Sequence, residues 1–416
     1  MSASVNESPG LAVPQPPGGK PVTTATRAES RVPKHLRRYL ALEDFIEGAR
    51  EHLPRMLFGF VSGAVETDWS LRDNRGAFQE WGFVPRYLAD VSVRSMETTL
   101  FGKTYAAPFG IAPMGASALI AYRGDIVLAR AATEARLPMI MSASSFIKLE
   151  EVKQQGTNAW YQAYLPGDPS RIEPLVDRVA AAGFDTFVLT VDVPVSSNRE
   201  NNVRNGYSIP LQPNFRLFWE GITHPRWLTG TFLRTLAQHG MPYFENMDAT
   251  RGPPLVSRNL VRAVGKRDGL HWRHLELIRK RWKGKLVVKG VMAPGDARLC
   301  RESGADGIMV SNHGGRQLDG AVSPLRVLPE IAAEKGSMTV MLDSGVRRGT
   351  DVLKALALGA DFVFVGRPFL CAAAVGGEAG VRHAINLLAE EVDRDMALIG
   401  IRSLAEMTPD LLMRIR

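Results

Sequence analysis

The 416-residue sequence predicts an α/β fold, a closed (β/α)8 TIM barrel with an N-terminal helical segment and a long excursion after strand four. Three observations lead there. From about residue 105, short β-branched runs alternate with longer helix-period stretches, and eight such units follow in strict order. Several runs are apolar without alternation, as in Phe187-Val188-Leu189 and Phe362-Val363-Phe364-Val365, which suits parallel strands covered on both faces. Gly-x-Gly-x-x-Gly does not occur, which weighs against an open doubly wound sheet, the runner-up.

Along the chain, residues 1–35 are rich in Pro, Gly, Ser, Ala and Thr. They bury too little apolar surface to offset ordering entropy, so a disordered tail is expected before a barrel domain over 36–416. A helix begins near Leu42, with Phe45 and Ile46 on one face and Leu53 close by. Strands are expected at 107–113, 138–142, 158–164, 185–191, 285–290, 306–311, 338–343 and 361–366. Helices among them include 125–135, 172–182, 294–303 and 350–358. The uncharged run 104–122 carries Pro108, Gly110, Pro113 and Gly115, so it reads as a buried strand entering a loop, not a membrane span. Between Asp192, ending strand four, and Lys289, in strand five, lies more chain than one helix and two loops need. A loop excursion over about 205–275 is therefore expected at the barrel mouth. Its stretch 215–240 mixes aromatic and aliphatic side chains with Arg216, Arg226 and Arg234, and suits a lid, a partner surface or a membrane-surface element.

Composition narrows the function classes. Hydrophobic residues at 45% and charged residues at 23% exclude wholesale disorder. Cys300 and Cys371 are the only cysteines, so neither a disulfide framework nor a Cys-x-x-Cys metal site is available, and a reducing compartment follows. No metal is expected: His271 and His274 have helical spacing but no third ligand nearby, and read as a solvated helix face. The first thirty residues lack the apolar core of a secretory signal. A net charge of +8 suggests anionic partners, but it is spread along the chain and no nucleic-acid motif accompanies it.

Chemistry in such a barrel sits at the carboxyl ends of the strands. Gln162 and Tyr164, Thr190 and Asp192, Lys289, Ser311-Asn312-His313, Asp343, and Gly366-Arg367 stand there, a polar ring that packing alone does not justify. Two glycines after His313 turn the backbone sharply and bring Arg316 near the imidazole. A base beside a carboxylate clamp is what removal of a hydrogen next to a carboxylate requires. Arg347 and Arg367 follow strands seven and eight, where such barrels hold a phosphate. Lys289 lies in a hydrophobic strand and needs a negative partner, such as a cofactor charged in one redox state.

With Ser311-Asn-His-Gly-Gly-Arg-Gln-Leu-Asp319 and Asp343-Ser-Gly-Val-Arg-Arg-Gly-Thr350, the sequence resembles the FMN-dependent α-hydroxy acid oxidase and dehydrogenase family from about residue 40 to its end. That family includes glycolate oxidase, L-lactate dehydrogenase and mandelate dehydrogenase. The resemblance implies bound FMN and oxidation of an L-2-hydroxy acid to the 2-oxo acid, by hydride transfer or through a carbanion. By matching position, His313 is the base and Asp192 orients it. Arg316 and Arg199 bind the substrate carboxylate, and Tyr164 contacts the substrate hydroxyl. Lys289, Ser142, Gln162, Thr190 and Ser311 match contacts to the flavin ring, with Gly115 near its N5. Asp343, Arg347, Gly366 and Arg367 match ribityl and phosphate contacts.

Two positions depart from the pattern. Phe60 stands where the family has a carboxylate-binding tyrosine, a loss worth roughly 1–2 kcal/mol of binding unless another group substitutes. Ser144 replaces a pocket tryptophan and enlarges the cavity toward aryl or branched substrates. Gly115, the long excursion and the string His224-Pro225-Arg226-Trp227 match the membrane-associated lactate and mandelate dehydrogenases. They imply a quinone acceptor, and a cytoplasmic protein held peripherally on the inner face of the cell membrane. A hydrogen-peroxide-producing oxidase using oxygen, or a flavoprotein with a non-standard substrate, is the alternative. The resemblance also implies a homotetramer.

Overall fold

Strands covered on both faces need side chains that are apolar in every direction, and the eight predicted runs supply them. The computed structural model describes residues 32–208, 211, 215–256 and 267–415. In it the runs form β1 (Phe109–Ile111), β2 (Met139–Ser142), β3 (Ala159–Ala163) and β4 (Thr186–Thr190). They continue as β5 (Lys285–Val291), β6 (Gly307–Val310), β7 (Thr339–Leu342) and β8 (Phe362–Val365). All pair in parallel and close into one barrel, β8 meeting β1 at Phe364 and Gly110. The first strand is shorter than expected because Pro108 and Pro113, lacking N–H donors, bracket it.

Ile140, Trp160, Val188, Val287, Met309, Met341, Phe362 and Phe364 fill the barrel as one buried cluster. Leu100 and Tyr105, from the hairpin of Thr98–Leu100 and Lys103–Tyr105, join that cluster and plug the amino-terminal end. The opposite end is left open for chemistry. Trp81–Phe83 pairs antiparallel with Leu412–Arg414, tying the start of the folded unit to its end.

The tail expected over 1–35 lies outside the described residues up to residue 31. Its predicted boundary is late, since Lys34–Leu36 forms a 3-10 turn with Leu36 fully buried. The predicted helix near Leu42 is present as Leu42–His52 and packs on the carboxyl-terminal helical segment Arg367–Ile399, which is broken by a kink at Gly377. Helices Arg55–Ser62 and Trp69–Gln79 then bring the amino-terminal segment over the barrel mouth. There Asn74 and Asn312 exchange side-chain amide hydrogen bonds of 2.8 and 2.7 Å. Asp319 accepts from the backbone N–H groups of Thr67 and Ser70 at 2.9 and 3.0 Å. Each buried amide meets its partner, so the segment and the 311–319 loop hold one another in place.

The excursion is not the loop expected over 205–275. It contains helices Phe215–Thr223, Pro225–Trp227 and Arg234–His239 around a π-helical turn at Leu228–Leu233. Trp227 Nε1 donates to Leu119 O at 2.7 Å, docking the excursion on the segment after β1, and the buried Glu220 accepts from the Arg55 N–H at 2.6 Å, tying it to the amino-terminal helix Arg55–Ser62. Asn246 fixes the return path through bonds to Leu149, Ser145 and Ile147 backbone groups. Phe215, Phe218, Trp219 and Ile222 follow helical spacing and are all exposed. His271 and His274 are not a solvated pair. His274 is buried, and its Nδ1 accepts from the His271 N–H at 3.1 Å, capping helix Trp272–Arg281. Among the described residues no helix is long and apolar enough to cross a membrane.

Candidate active site

The strand ends converge on a cavity of about 650 Å³ at the open mouth. Its walls include Phe60, Gly115, Ser144, Tyr164, Arg199, Lys289, His313, Arg316, Asp343, Arg347, Gly366 and Arg367, which the sequence placed together. Ser142, Gln162, Thr190 and Ser311 are buried at the strand ends but do not line it. Asp192 lies outside the lining as well and reaches the cavity through His313.

Two backbone devices build the centre. At Gly290 φ is +104°, and a Cβ there would stand 2.7 Å from the Asp192 Cβ. Only glycine lets β5 bulge so close to the end of β4. His313 is itself left-handed, with φ of +59°, and Gly314 and Gly315 continue in that region. Its N–H donates to Ser311 Oγ at 3.0 Å, which anchors the turn. The ring is thereby aimed with Nδ1 2.9 Å from Asp192 Oδ1 and Nε2 3.3 Å from the Tyr164 hydroxyl.

Burial and the neighbouring charges bias the protonation states. Burial pushes the His313 imidazole below its ordinary value, against the pull of Asp192 and with Lys289 and Arg199 adding to the fall. Burial opposes the charge on Asp192 too, but His313 and then Lys289 hold that carboxyl below its usual range. A neutral imidazole beside an ionised carboxylate carries its proton on Nδ1, leaving Nε2 to accept one. Burial alone would strip Lys289, yet Asp343 and Asp192 raise it above the ordinary lysine value. Its Nζ lies 3.0 Å from Asp343 Oδ2 and donates to Ser311 Oγ at 2.7 Å. The negative partner expected from a cofactor is thus also present in the chain, and Asp343, expected as a ribityl contact, is that partner.

Arg199, Arg316, Arg347 and Arg367 open on the same cavity. Arg316 Nη1 donates to Gly63 O at 2.6 Å, and Arg199 donates to Gln317 Oε1 at 2.6 Å. Arg347 bonds Val346 O at 2.7 Å, while Arg367 bonds Val61 O at 3.0 Å and Gly314 O at 2.9 Å. Among the described residues their hydrogen-bond partners are neutral oxygens, so the cavity wall carries positive charge without direct carboxylate partners. Burial pushes Arg347 and Arg367 down to about 10, and pushes Arg316 well below its ordinary value with help from Arg199 and Arg367. Such a chamber suits two anionic groups, one at Arg347 and Arg367 and one at Arg316 and Arg199. Gln162 Nε2, Thr190 Oγ1 and Asp192 Oδ2 are buried without a hydrogen-bond partner, which points to a polar ligand at the strand ends.

Sequence reasoning did not name Tyr207, Phe244, Met247 or Arg267, which the excursion contributes to the walls. Arg267 lies over the Tyr164 ring, 4.6 Å from its centroid. No local motif marks these residues, because their role depends on where the excursion folds back.

Comparison with known proteins agrees with this geometry. Residues 49–414 match the family model described as FMN-dependent dehydrogenase. The chain is 37% identical over 372 residues to an (S)-mandelate dehydrogenase of Pseudomonas putida, covering 89% of this chain and 93% of that one. It is 38% identical over 379 residues to an L-lactate dehydrogenase of Pseudomonas aeruginosa, covering 90% and 98%. Among solved structures, the monotopic membrane protein (S)-mandelate dehydrogenase superposes with a TM-score of 0.81 at 35% identity, over 90% of this chain and 99% of that one. A mandelate oxidase variant with (S)-mandelic acid gives 0.74 at 35% identity, over 90% and 98%.

The cavity arginines predict a measurable response. Inorganic phosphate, compared with chloride at equal ionic strength, should raise the melting temperature of nucleotide-free protein, by about 1.4 kcal/mol of stability at ten times its Kd. The double variant R347M/R367M should lose that response; an unchanged response would remove these arginines from the anion site.

Proposed function

We propose that this chain, which belongs to the FMN-dependent dehydrogenase family, oxidises an L-2-hydroxy acid to the 2-oxo acid at the cavity. The observation that carries the reading is the buried His313 imidazole, with Nδ1 2.9 Å from the Asp192 carboxylate and Nε2 3.3 Å from the Tyr164 hydroxyl, flanked by two arginines with no carboxylate partner among the described residues. The residues fit FMN. Arg347 and Arg367, with the Ser344–Val346 loop and Gly366, would hold its phosphate and ribityl chain, and Lys289 and Gly115 would face its ring. A Cβ at Gly115 would stand 2.8 Å from the Ser144 Cβ, so glycine keeps that wall flat. When bound, FMN supplies the two-electron acceptor.

The chain's own residues supply the rest. Arg316 and Arg199 fix the substrate carboxylate, and Tyr164 bonds the substrate hydroxyl. His313 Nε2 takes up a proton, and Asp192 stabilises the imidazolium that results. Lys289, kept charged by Asp343 and Asp192, would place a fixed cation beside the ring of a bound FMN. Ser144 leaves room beside the substrate Cα, which supports an aryl or branched acid.

The exposed face of Phe215, Phe218, Trp219 and Ile222 supports a peripheral membrane contact and a quinone as the physiological acceptor. The side chains on this face stand on the excursion that also walls the cavity, so contact and chemistry share one segment.

Three outcomes test the reading. His313→Gln should keep FMN bound while slowing anaerobic flavin reduction by (S)-mandelate or L-lactate about 10²–10⁴-fold; near wild-type rates would remove His313 as base. Protonated His313 cannot accept a proton, so kcat/KM should fall as pH drops through a value below the ordinary imidazole 6.5; an acid limb centred above 6.5 would contradict the neutral base. The variant F218S/W219S should partition less onto anionic lipid vesicles with its flavin spectrum unchanged, and equal partitioning would rule the face out as the contact.

A further inference from the structure

Tyr207 is a buried group that the reading above does not use. It follows helix Glu200–Arg204, and its backbone N–H donates to Asn202 O at 2.8 Å. Only 6% of the residue is exposed, and it forms part of the cavity wall beside Phe60, Arg199 and Arg316. Its ring stacks on Phe60, with centroids 4.5 Å apart and 26° between the planes. The Arg316 guanidinium lies on Phe60 too, 5.1 Å from that centroid. The Tyr207 hydroxyl has no hydrogen-bond partner among the described residues.

A buried hydroxyl without a partner weakens the ligand-free fold, and phenylalanine would fill the same space without that cost. An unpartnered buried donor in a cavity wall is what a ligand acceptor would satisfy. The charges felt most at this phenol are those of Arg316 and Arg199, and burial keeps it protonated and able to donate. Among the described residues neither arginine has a carboxylate partner, so an anionic oxygen gripped by them is the acceptor this donor would meet. Phe60, at the position where the resemblance leads one to expect a tyrosine, cannot supply the hydroxyl, and the ring stacked on it can.

We propose that Tyr207 is a substrate-binding residue whose hydroxyl donates to the carboxylate of the 2-hydroxy acid, replacing the contact absent at Phe60. This rests on the 2-hydroxy acid reading above. It moves one carboxylate contact from the amino-terminal segment to the excursion, so carboxylate affinity depends on how the excursion is seated.

The test uses holoenzyme and anaerobic stopped-flow reduction by the faster of (S)-mandelate and L-lactate. Tyr207→Phe should raise the Kd for that acid about 10- to 100-fold, as expected for losing a hydrogen bond to a charged group. Flavin content should be unchanged, and the melting temperature of the substrate-free protein should not fall. Binding of the matching 2-hydroxy amide, which has no carboxylate, should be nearly the same in both proteins, a distinction that a packing role would not produce. The variant F60Y/Y207F, with a hydroxyl returned on the neighbouring ring, should regain part of the lost affinity. Unchanged acid affinity in Y207F, or equal loss for acid and amide, overturns the proposal while wild-type reduction by the acid keeps the functional reading intact. Failure of wild-type holoenzyme to be reduced by any 2-hydroxy acid overturns both.

Discussion

One contact governs the site: a carboxylate held 2.9 Å from a buried imidazole, beside a cavity whose walls carry Lys289 and several arginines. Without Asp192, burial and the neighbouring Lys289 and Arg199 would leave His313 a very weak base. With it, the ring is neutral at rest, is oriented through Nδ1, and gains a counter-charge at the moment it is protonated. The same carboxylate helps keep Lys289 charged. Asp192 therefore backs the base directly and joins Asp343 in holding the fixed cation, two groups with opposite requirements.

Backbone geometry makes that economy attainable. The β5 bulge at Gly290 brings the ends of β4 and β5 together, and the left-handed turn at His313 swings the imidazole from β6 across to Asp192. Holding a histidine with positive φ costs energy that the surroundings must offset. Ser311 Oγ, the Asn74–Asn312 amide pair and the Asp319 bonds to Thr67 and Ser70 do so. The amino-terminal helices are thus part of the site, although the barrel would close without them.

The strands were legible because burial on both faces leaves an unmistakable apolar run, as in Phe362-Val363-Phe364-Val365. The polar ring at their ends was legible for the complementary reason, that charge at a barrel mouth has no packing role. Long-range pairing was not. Nothing near Lys289 announces that Asp343, two strands away, meets its charge within the chain. The apolar spacing of Phe215, Phe218, Trp219 and Ile222 was open to inspection, but the surrounding excess of chain suggested a loop and obscured the helix. The His271–His274 spacing told of a helix without telling that its start is capped by its own histidine. Tyr207 was invisible because its meaning comes from Phe60, which reaches it only in the folded chain.

The cavity wall carries more cations than anions, a composition that suits anionic ligands. Among the described residues Arg199, Arg316, Arg347 and Arg367 find only neutral oxygens, and the orphaned atoms of Gln162 and Thr190 find nothing. Such groups lower stability in the absence of ligand and return it on binding, which links folding to cofactor capture. At the centre of this arrangement the claim is a protonation state, and ¹⁵N chemical shifts of histidine-labelled holoenzyme at neutral pH read it directly. The account predicts His313 neutral, with its proton on Nδ1 and a bare Nε2. An imidazolium, or a neutral ring protonated on Nε2, would contradict it.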